Sequence, residues 1–192
     1  MSVAASPVQK IEDGRQSALR AKIALVCHLV RWLTGGYLLF AAWGLYDHWS
    51  DGDRVQRVFK SFYKLDISGA APWQWRAAEA VSALDWIVLA ILCWHVWRLF
   101  GRYLQGEIFT AESASLLKRI GVLGLFTVAF DFAMRPVTVM LMGAHLTDSS
   151  SARHAFVRTE DVLYVVISLV LVALGMIYRS AAELADENAQ IV

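Results

Sequence analysis

The fold is decided by the stretch Val162-Leu-Tyr-Val-Val-Ile-Ser-Leu-Val-Leu-Val-Ala-Leu-Gly-Met-Ile-Tyr178, seventeen consecutive residues without a formal charge. At about 1.5 Å of rise per residue, a helix of this length nearly crosses a hydrocarbon core of roughly 30 Å. Three further apolar segments have a similar character. The sequence therefore predicts a membrane protein with four transmembrane helices.

The composition agrees with this prediction. The mean hydropathy is +0.46, and 57% of the residues are apolar while only 18% are charged; a soluble domain carries about 25% charged residues. We expect a single membrane domain over residues 1–192, an all-α integral membrane four-helix bundle with short tails and no separate soluble domain. The predicted spans cover about residues 24–46, 77–100, 120–142 and 162–178.

The distribution of basic residues predicts the orientation. Four spans place both termini on one side of the membrane, where the segments hold nine Lys and Arg residues against seven on the other side. Since basic residues prefer the cytoplasmic side, we expect both termini in the cytoplasm. The net charge of +1 gives no reason to expect direct nucleic-acid binding.

Two loops carry structure of their own. In the first outer loop, Val55, Val58, Phe59 and Phe62 recur at helical spacing, which predicts an amphipathic helix that lies on the membrane surface or packs across the span ends. In the middle loop, Gly106 suits a chain reversal and Thr110 suits a helix N-cap.

Ionisable side chains inside a membrane are costly, at roughly 2.5 to 3.5 kcal/mol near the bilayer centre on insertion scales, so each needs a partner or a task. Five such residues within the predicted spans stand out: Arg31, Asp85, His95, Asp131 and Arg135. Asp131 and Arg135 are four residues apart, in the favourable order for an ion pair on one helix face. Pro136 removes a backbone hydrogen bond beside them and predicts a kink.

The cluster is expected to include a residue of a second helix, because Asp85 lies at a similar depth in the membrane. Asp85 and Arg135 stand at similar distances from the outer ends of their spans, so we expect them to meet. Arg31 lies nearer the terminal side and is expected to extend to the inner headgroups. Two interpretations follow, a proton or ion relay and a structural ion-pair cluster. The structural one is favoured because the fourth span offers only Ser168 and end tyrosines along its depth.

Histidines and cysteines give weak signals. His28 and His95 both lie in the inner half of the predicted bundle and could act as axial ligands of a haem between the first two spans. Histidines without a ligand are the favoured alternative, so no cofactor is predicted. Cys27 and Cys93 form no CxxC motif and are expected to be buried. Gly35, on the face of His28, is expected to let a neighbouring helix come close.

The sequence contains no GxSxG, HExxH, P-loop or dinucleotide-binding motif. No catalytic residue and no metal site are therefore predicted, and the protein is expected not to be an enzyme.

Two motifs resemble the DUF2975 family of small four-span bacterial membrane proteins. They are Gly106-Glu-Ile-Phe-Thr110 followed by Leu117-Lys-Arg-Ile-Gly121, and the ending Ala181-Ala-Glu-Leu-Ala-Asp-Glu-Asn-Ala-Gln-Ile-Val192. Members are often encoded beside a small helix-turn-helix regulator. The resemblance implies an interaction or regulatory role in the membrane, in which the protein holds a cytoplasmic transcription regulator.

The C-terminal segment fits such a role. Glu183, Leu184, Asp186 and Glu187 follow the fourth span, and an acidic helix here could compete for the basic surface that a regulator presents to DNA. A solvated helix end is the alternative. Two other functions stay open, a haem- or quinone-linked redox protein and a small transporter. Besides the lipid bilayer and this regulator, a second copy of the chain in a homo-oligomer is a compatible partner.

Overall fold

The computed structural model describes residues 7–146 and 157–190, and the side-chain surroundings of residues 23–146 and 157–184. Within these ranges the chain forms the helices α1 (Pro7–Ser50), α2 (Gly52–Phe62), α3 (Pro72–Gln105), α4 (Ala111–Gly143) and α5 (Thr159–Gln190).

Four of these helices are long and apolar enough to cross a membrane. The spanning parts are Ile23–Ser50 in α1, Pro72–Gln105 in α3, Ala111–Gly143 in α4 and Thr159–Leu184 in α5. Each predicted span lies inside one of them. The chain is a multi-pass membrane protein, and the prediction of an all-α bundle of four transmembrane helices is confirmed.

The central pair of the bundle is α3 and α4. Helix α1 packs against α3, and α5 packs against the other side of α4. Leu99 of α3 and Leu116, Leu117 and Ile120 of α4 form a buried cluster between the central helices. Side chains on α4 can therefore reach both α3 and α5.

Glycines bring α4 and α5 into close contact. A Cβ atom placed on Gly121 would lie 2.7 Å from the carbonyl oxygen of Ser168 and from the backbone nitrogen of Val172. A Cβ on Gly175 would lie 2.5 Å from the backbone nitrogen of Lys118. Neither position can hold a side chain without moving a helix, which is how small residues tighten helix pairs in membranes.

Sequence reasoning had singled out another glycine, Gly35. A Cβ on Gly35 would lie 3.1 Å from the ring of Trp97 on α3, so the expected close approach occurs there, although against a side chain. The tightest backbone contacts, those between α4 and α5, were not predicted.

Helix α2 crosses the ends of the spanning helices. The carboxylate of Asp51 caps it by accepting a hydrogen bond from the N–H of Arg54, 3.0 Å away. Its apolar face buries Val55 and Phe59 in one cluster, whose other members are Leu65, Ile67, Ala78, Val139 and Met142. The segment is an amphipathic helix, as predicted, and of its two expected placements the structure shows packing across the span ends. Phe62, expected on the apolar face, is 74% exposed.

The turn between α3 and α4 also follows its prediction. Gly106 has a φ of 91°, which is the left-handed conformation that glycine adopts at low cost, and its N–H donates to the carbonyl of Tyr103. Thr110 caps α4, with its hydroxyl oxygen 3.2 Å from the N–H of Ser113. Helix α4 continues through Pro136, and the kink there stays a prediction.

Candidate functional site: an intramembrane charge cluster

Arg135 of α4 is the centre of the cluster. Its two terminal nitrogens each lie 2.6 Å from one carboxylate oxygen of Asp161 on α5, and one of them also bonds Asp131. The side chains of Arg135 and Asp161 are only 10% and 9% exposed. This is a bidentate ion pair. It fixes the relative orientation of the two side chains as well as neutralising their charges, because both hydrogen bonds must be aligned at once.

Asp161 is held in place by its own helix. It lies in the first turn of α5, where a negative charge is stabilised by the helix dipole, and its carboxylate accepts a hydrogen bond of 2.8 Å from the N–H of Arg158. This is the return half of a capping box. Sequence reasoning missed Asp161, which stands directly before the uncharged run. An acidic residue in the third helical position was the available signal.

Asp85 is expected to meet Arg135, but in the described part of the chain no ion pair within 4.0 Å joins the two, because Asp161 occupies the place beside Arg135. One carboxylate oxygen of Asp85 is buried without a hydrogen-bond partner. Similar depth placed the two residues at one level, but depth does not determine which neighbouring helix a side chain faces, and Arg135 faces α5.

Asp85, Asp131 and Arg135 nevertheless line one cavity of about 350 Å³. Its wall also includes Trp86, whose indole nitrogen is buried without a partner. One acceptor and one donor without a partner thus lie in residues that line a cavity of mixed charge. Buried polar groups of this kind are normally satisfied by water or by a polar ligand.

The charged lining does not continue into the next cavity, where the polar side chains are the hydroxyls of Tyr37, Thr127, Tyr164 and Ser168. The cavity on the terminal side of Asp85 has a volume of about 480 Å³, and Leu89, Leu92 and Val96 are among its mainly apolar lining. A relay needs groups that pass a proton or ion along the whole depth. The geometry therefore supports the structural interpretation of the cluster more than the relay.

Arg31 lies apart from this cluster. Its guanidinium carbon is 4.5 Å from the ring centroid of Trp97, a cation–π distance. Trp97 follows Asp85 by twelve residues on α3, which is about 18 Å along the helix. The structure brings together Asp85, Asp131 and Arg135 and leaves Arg31 at another level.

The histidines and cysteines are placed without forming a ligand set. His28 is exposed on α1, whereas His95 directs its Nδ1 atom to the carbonyl oxygen of Ile91, 2.8 Å away. The haem hypothesis stays a prediction. Cys27 and Cys93 are buried and free, as expected. Within the described ranges, no group of three or more His, Cys, Asp and Glu side chains is arranged to hold a metal ion.

The candidate partner-binding residues lie near the end of α5. Glu183 is exposed and pairs with Arg179 at 2.8 Å, and Leu184 is 60% exposed. The backbone of Asp186 and Glu187 is part of α5, but their side chains lie outside the described residues.

The family model "Protein of unknown function (DUF2975)" matches residues 70–192, more than half of the chain. The chain belongs to the DUF2975 family. The match includes α3, α4 and α5 with the pair of Arg135 and Asp161, whereas α1 and α2 precede it. No curated protein and no solved structure matches the chain. This DUF2975 protein is thus assigned to a family of unknown function, and its role has to be argued from its own residues.

Proposed function

We propose that this DUF2975 protein is a non-enzymatic regulatory protein of the bacterial inner membrane. Both termini lie in the cytoplasm, and the end of α5 holds a cytoplasmic helix-turn-helix regulator. The observation that supports this proposal is the continuity of α5, which runs as one helix from Thr159 to Gln190. A partner bound to its end is therefore joined to the membrane through a continuous helix.

The exposed end of α5 has suitable chemistry for such a contact. Leu184 offers apolar surface to a partner, and Glu183 offers charge to a basic one. The pair of Glu183 with Arg179 is exposed on both sides, at 55% and 60%, and exposed pairs contribute only about 0–1 kcal/mol. Glu183 can therefore exchange Arg179 for a basic residue of a partner at small cost.

Tethering strengthens a weak contact. A regulator that meets many copies of the tail on one membrane surface experiences a high local concentration of sites, so a modest intrinsic affinity suffices. Binding through the surface that otherwise contacts phosphates would keep the regulator from DNA.

The experiment is co-purification from native membranes with mass spectrometry of the bound proteins. We expect full-length protein to retain a DNA-binding protein, and a chain truncated after Ala182 to lose it. Charge reversal of Glu183, Asp186 and Glu187 to Lys should act like the truncation. Glu79→Lys is a matched control, because Glu79 is exposed near the opposite end of the bundle.

The proposal fails if full-length protein that inserts and folds normally brings down no DNA-binding protein. It also fails if Glu79→Lys releases the partner as fully as the triple reversal does, because the effect would then be one of net charge. Expression of genes near this one gives a second measurement, which should change with truncation and stay constant with the control.

The cavity with Asp85 favours a small transporter as the second candidate function, since an unpartnered buried carboxylate is typical of transport sites. Uptake by proteoliposomes of wild-type and Asp85→Asn protein distinguishes it. The redox alternative rests on His28 and His95 alone, and a Soret band lost on changing either residue to Ala would favour it.

A further inference from the structure

A second charged region lies between α3, α4 and α5, on the side of the termini. The contacts between helices determine which residues share a level. Gly175 lies against Lys118, and Val172 lies against Gly121. Three residues back along α5 correspond to three residues forward along α4, so both contacts belong to one antiparallel register. Arg179, four residues after Gly175, is therefore one turn closer to the terminal end than Lys118.

His95 lies on the same level. Arg102 of α3 and Glu112 of α4 form an ion pair of 2.5 Å. Seven residues further into the membrane on each antiparallel helix, His95 stands beside Arg119. Lys118, Arg119 and His95 are thus about 10 Å inside the paired helix ends, and Lys118 and Arg119 directly precede residue 120, where the third predicted span begins.

These residues line one cavity of about 480 Å³. Four of the lining side chains are basic or can become so, namely His95, Lys118, Arg119 and Arg179, and the others are Ser115, Val122 and Leu123. One part of the cavity thus carries basic side chains and the hydroxyl of Ser115, and another part carries the apolar side chains of Val122 and Leu123. A ligand with an anionic head and an apolar body matches this arrangement.

The bases nearest the turn are neutralised by acids of the protein itself. Arg102 bonds Glu107 at 2.6 Å and Glu112 at 2.5 Å, and Arg98 lies 3.8 Å from Glu112. Lys118 and Arg119 differ, because none of the carboxylates that the structure describes lies within 4.0 Å of either. Their charges are available to an external anion.

The remaining two groups can contribute. Arg179 uses its Nε atom for Glu183, which leaves its terminal nitrogens for other acceptors. His95 has its Nδ1 atom 2.8 Å from the carbonyl oxygen of Ile91, so Nδ1 carries the proton that this carbonyl accepts.

We propose that this cavity binds the phosphate of an anionic phospholipid in the leaflet on the side of the termini. The cations contact the phosphate, while Val122 and Leu123 contact the upper part of an acyl chain. Basic pockets between transmembrane helices bind such headgroups because the lipid charge replaces the missing counterion. Inorganic phosphate shares the recognised chemistry and is the second source that the test distinguishes.

The experiment measures the binding of three probes to full-length protein in a neutral detergent, from the melting temperature during titration. The probes are dioleoylphosphatidylglycerol, dioleoylphosphatidylcholine and inorganic phosphate. We expect the anionic lipid to stabilise the protein more strongly than the zwitterionic lipid. Removal of one cation should weaken apparent affinity roughly fivefold, and Lys118→Gln with Arg119→Gln about thirtyfold.

Arg76→Gln is the matched control, since Arg76 is 85% exposed and lies at the opposite end of the bundle; it should leave binding unchanged. The single Gln variants and Arg179→Gln repeat the test if the double variant does not purify as a folded protein. Stabilisation by inorganic phosphate at least equal to that by the lipid, and lost in the double variant, would assign the site to the free anion and overturn the lipid assignment. The proposed site would be wrong if the anionic lipid stabilised the protein no more than the zwitterionic lipid does. It would also be wrong if Arg76→Gln lost as much lipid affinity as the double variant.

Discussion

Arg135 and Asp161 are joined by two parallel hydrogen bonds of 2.6 Å each, which tie α4 to the first turn of α5. Both side chains are almost completely buried. Together with the contacts at Gly121 and Gly175 further along the same helix pair, this bond fixes the height and the rotation of α5 against α4. The helix that carries the C-terminal segment is thus positioned at its opposite end by an ion pair inside the membrane.

Asp161→Asn is expected to lower stability by roughly 3 kcal/mol, because it removes both charge-assisted bonds and leaves a buried arginine poorly compensated. Asp131→Asn should cost only about 1 kcal/mol, since Asp131 is 35% exposed and Asp161 remains. Thermal unfolding in detergent measures both. The combination of Asp161→Asn with Arg135→Gln should recover part of the loss. Equal losses from the two Asn variants would contradict the primary role of Asp161.

Asp85→Asn is expected to change stability by less than about 0.5 kcal/mol, or to increase it. No ion pair of Asp85 is lost among the described residues, and a neutral amide costs less to bury than a carboxylate. The same melting experiment applies. A loss as large as that of Asp161→Asn would show that Asp85 supports the cluster after all.

Gly121→Ala should destabilise the bundle by about 1 to 3 kcal/mol, because the new methyl group would overlap the backbone of Ser168 and Val172. Gly36→Ala is the control, as a Cβ there meets no atom within 4 Å, and it should be neutral or slightly stabilising. Melting temperatures of the two variants in one detergent decide the matter. Similar behaviour would mean that α4 and α5 are less tightly packed than described.

Phe59→Ala should cost about 3 kcal/mol, since Phe59 is 4% exposed and packs with Val139 and Met142. Phe62→Ala, one turn later in the same helix, should have little effect because Phe62 is 74% exposed. Unfolding in detergent tests the pair. A loss at Phe62 as large as that at Phe59 would indicate that Phe62 is buried as well.

The proposed orientation is tested by single cysteines at Ser50 and Gln190 in a background with Cys27→Ala and Cys93→Ala, both originally buried. An impermeant thiol reagent on intact cells should label position 50 and leave position 190 unlabelled. Labelling at 190 alone would invert the orientation and move the proposed lipid site to the outer leaflet.

The helices of this protein can be predicted from local features of the sequence. Uncharged runs long enough to cross a membrane, such as Val162 to Tyr178, leave helices as the structure that satisfies every backbone group in lipid. Local features also predict helix α2, from the spacing of Val55 to Phe62, and the turn before α4, from Gly106 and Thr110. All of these depend on neighbours within one or two turns, which a sequence displays directly.

Which faces of the helices meet depends on contacts between helices that are distant in the sequence. Sequence spacing predicts the pair of Asp131 and Arg135, because it lies within one turn, but it does not reveal Asp161 as the second partner of Arg135. Depth along a span follows from residue counting, whereas the rotation of one helix against another follows from packing at residues such as Gly121 and Gly175. His95, Arg119 and Lys118 line one cavity only because of how α3, α4 and α5 pack together. Residue counting along one helix does not show this.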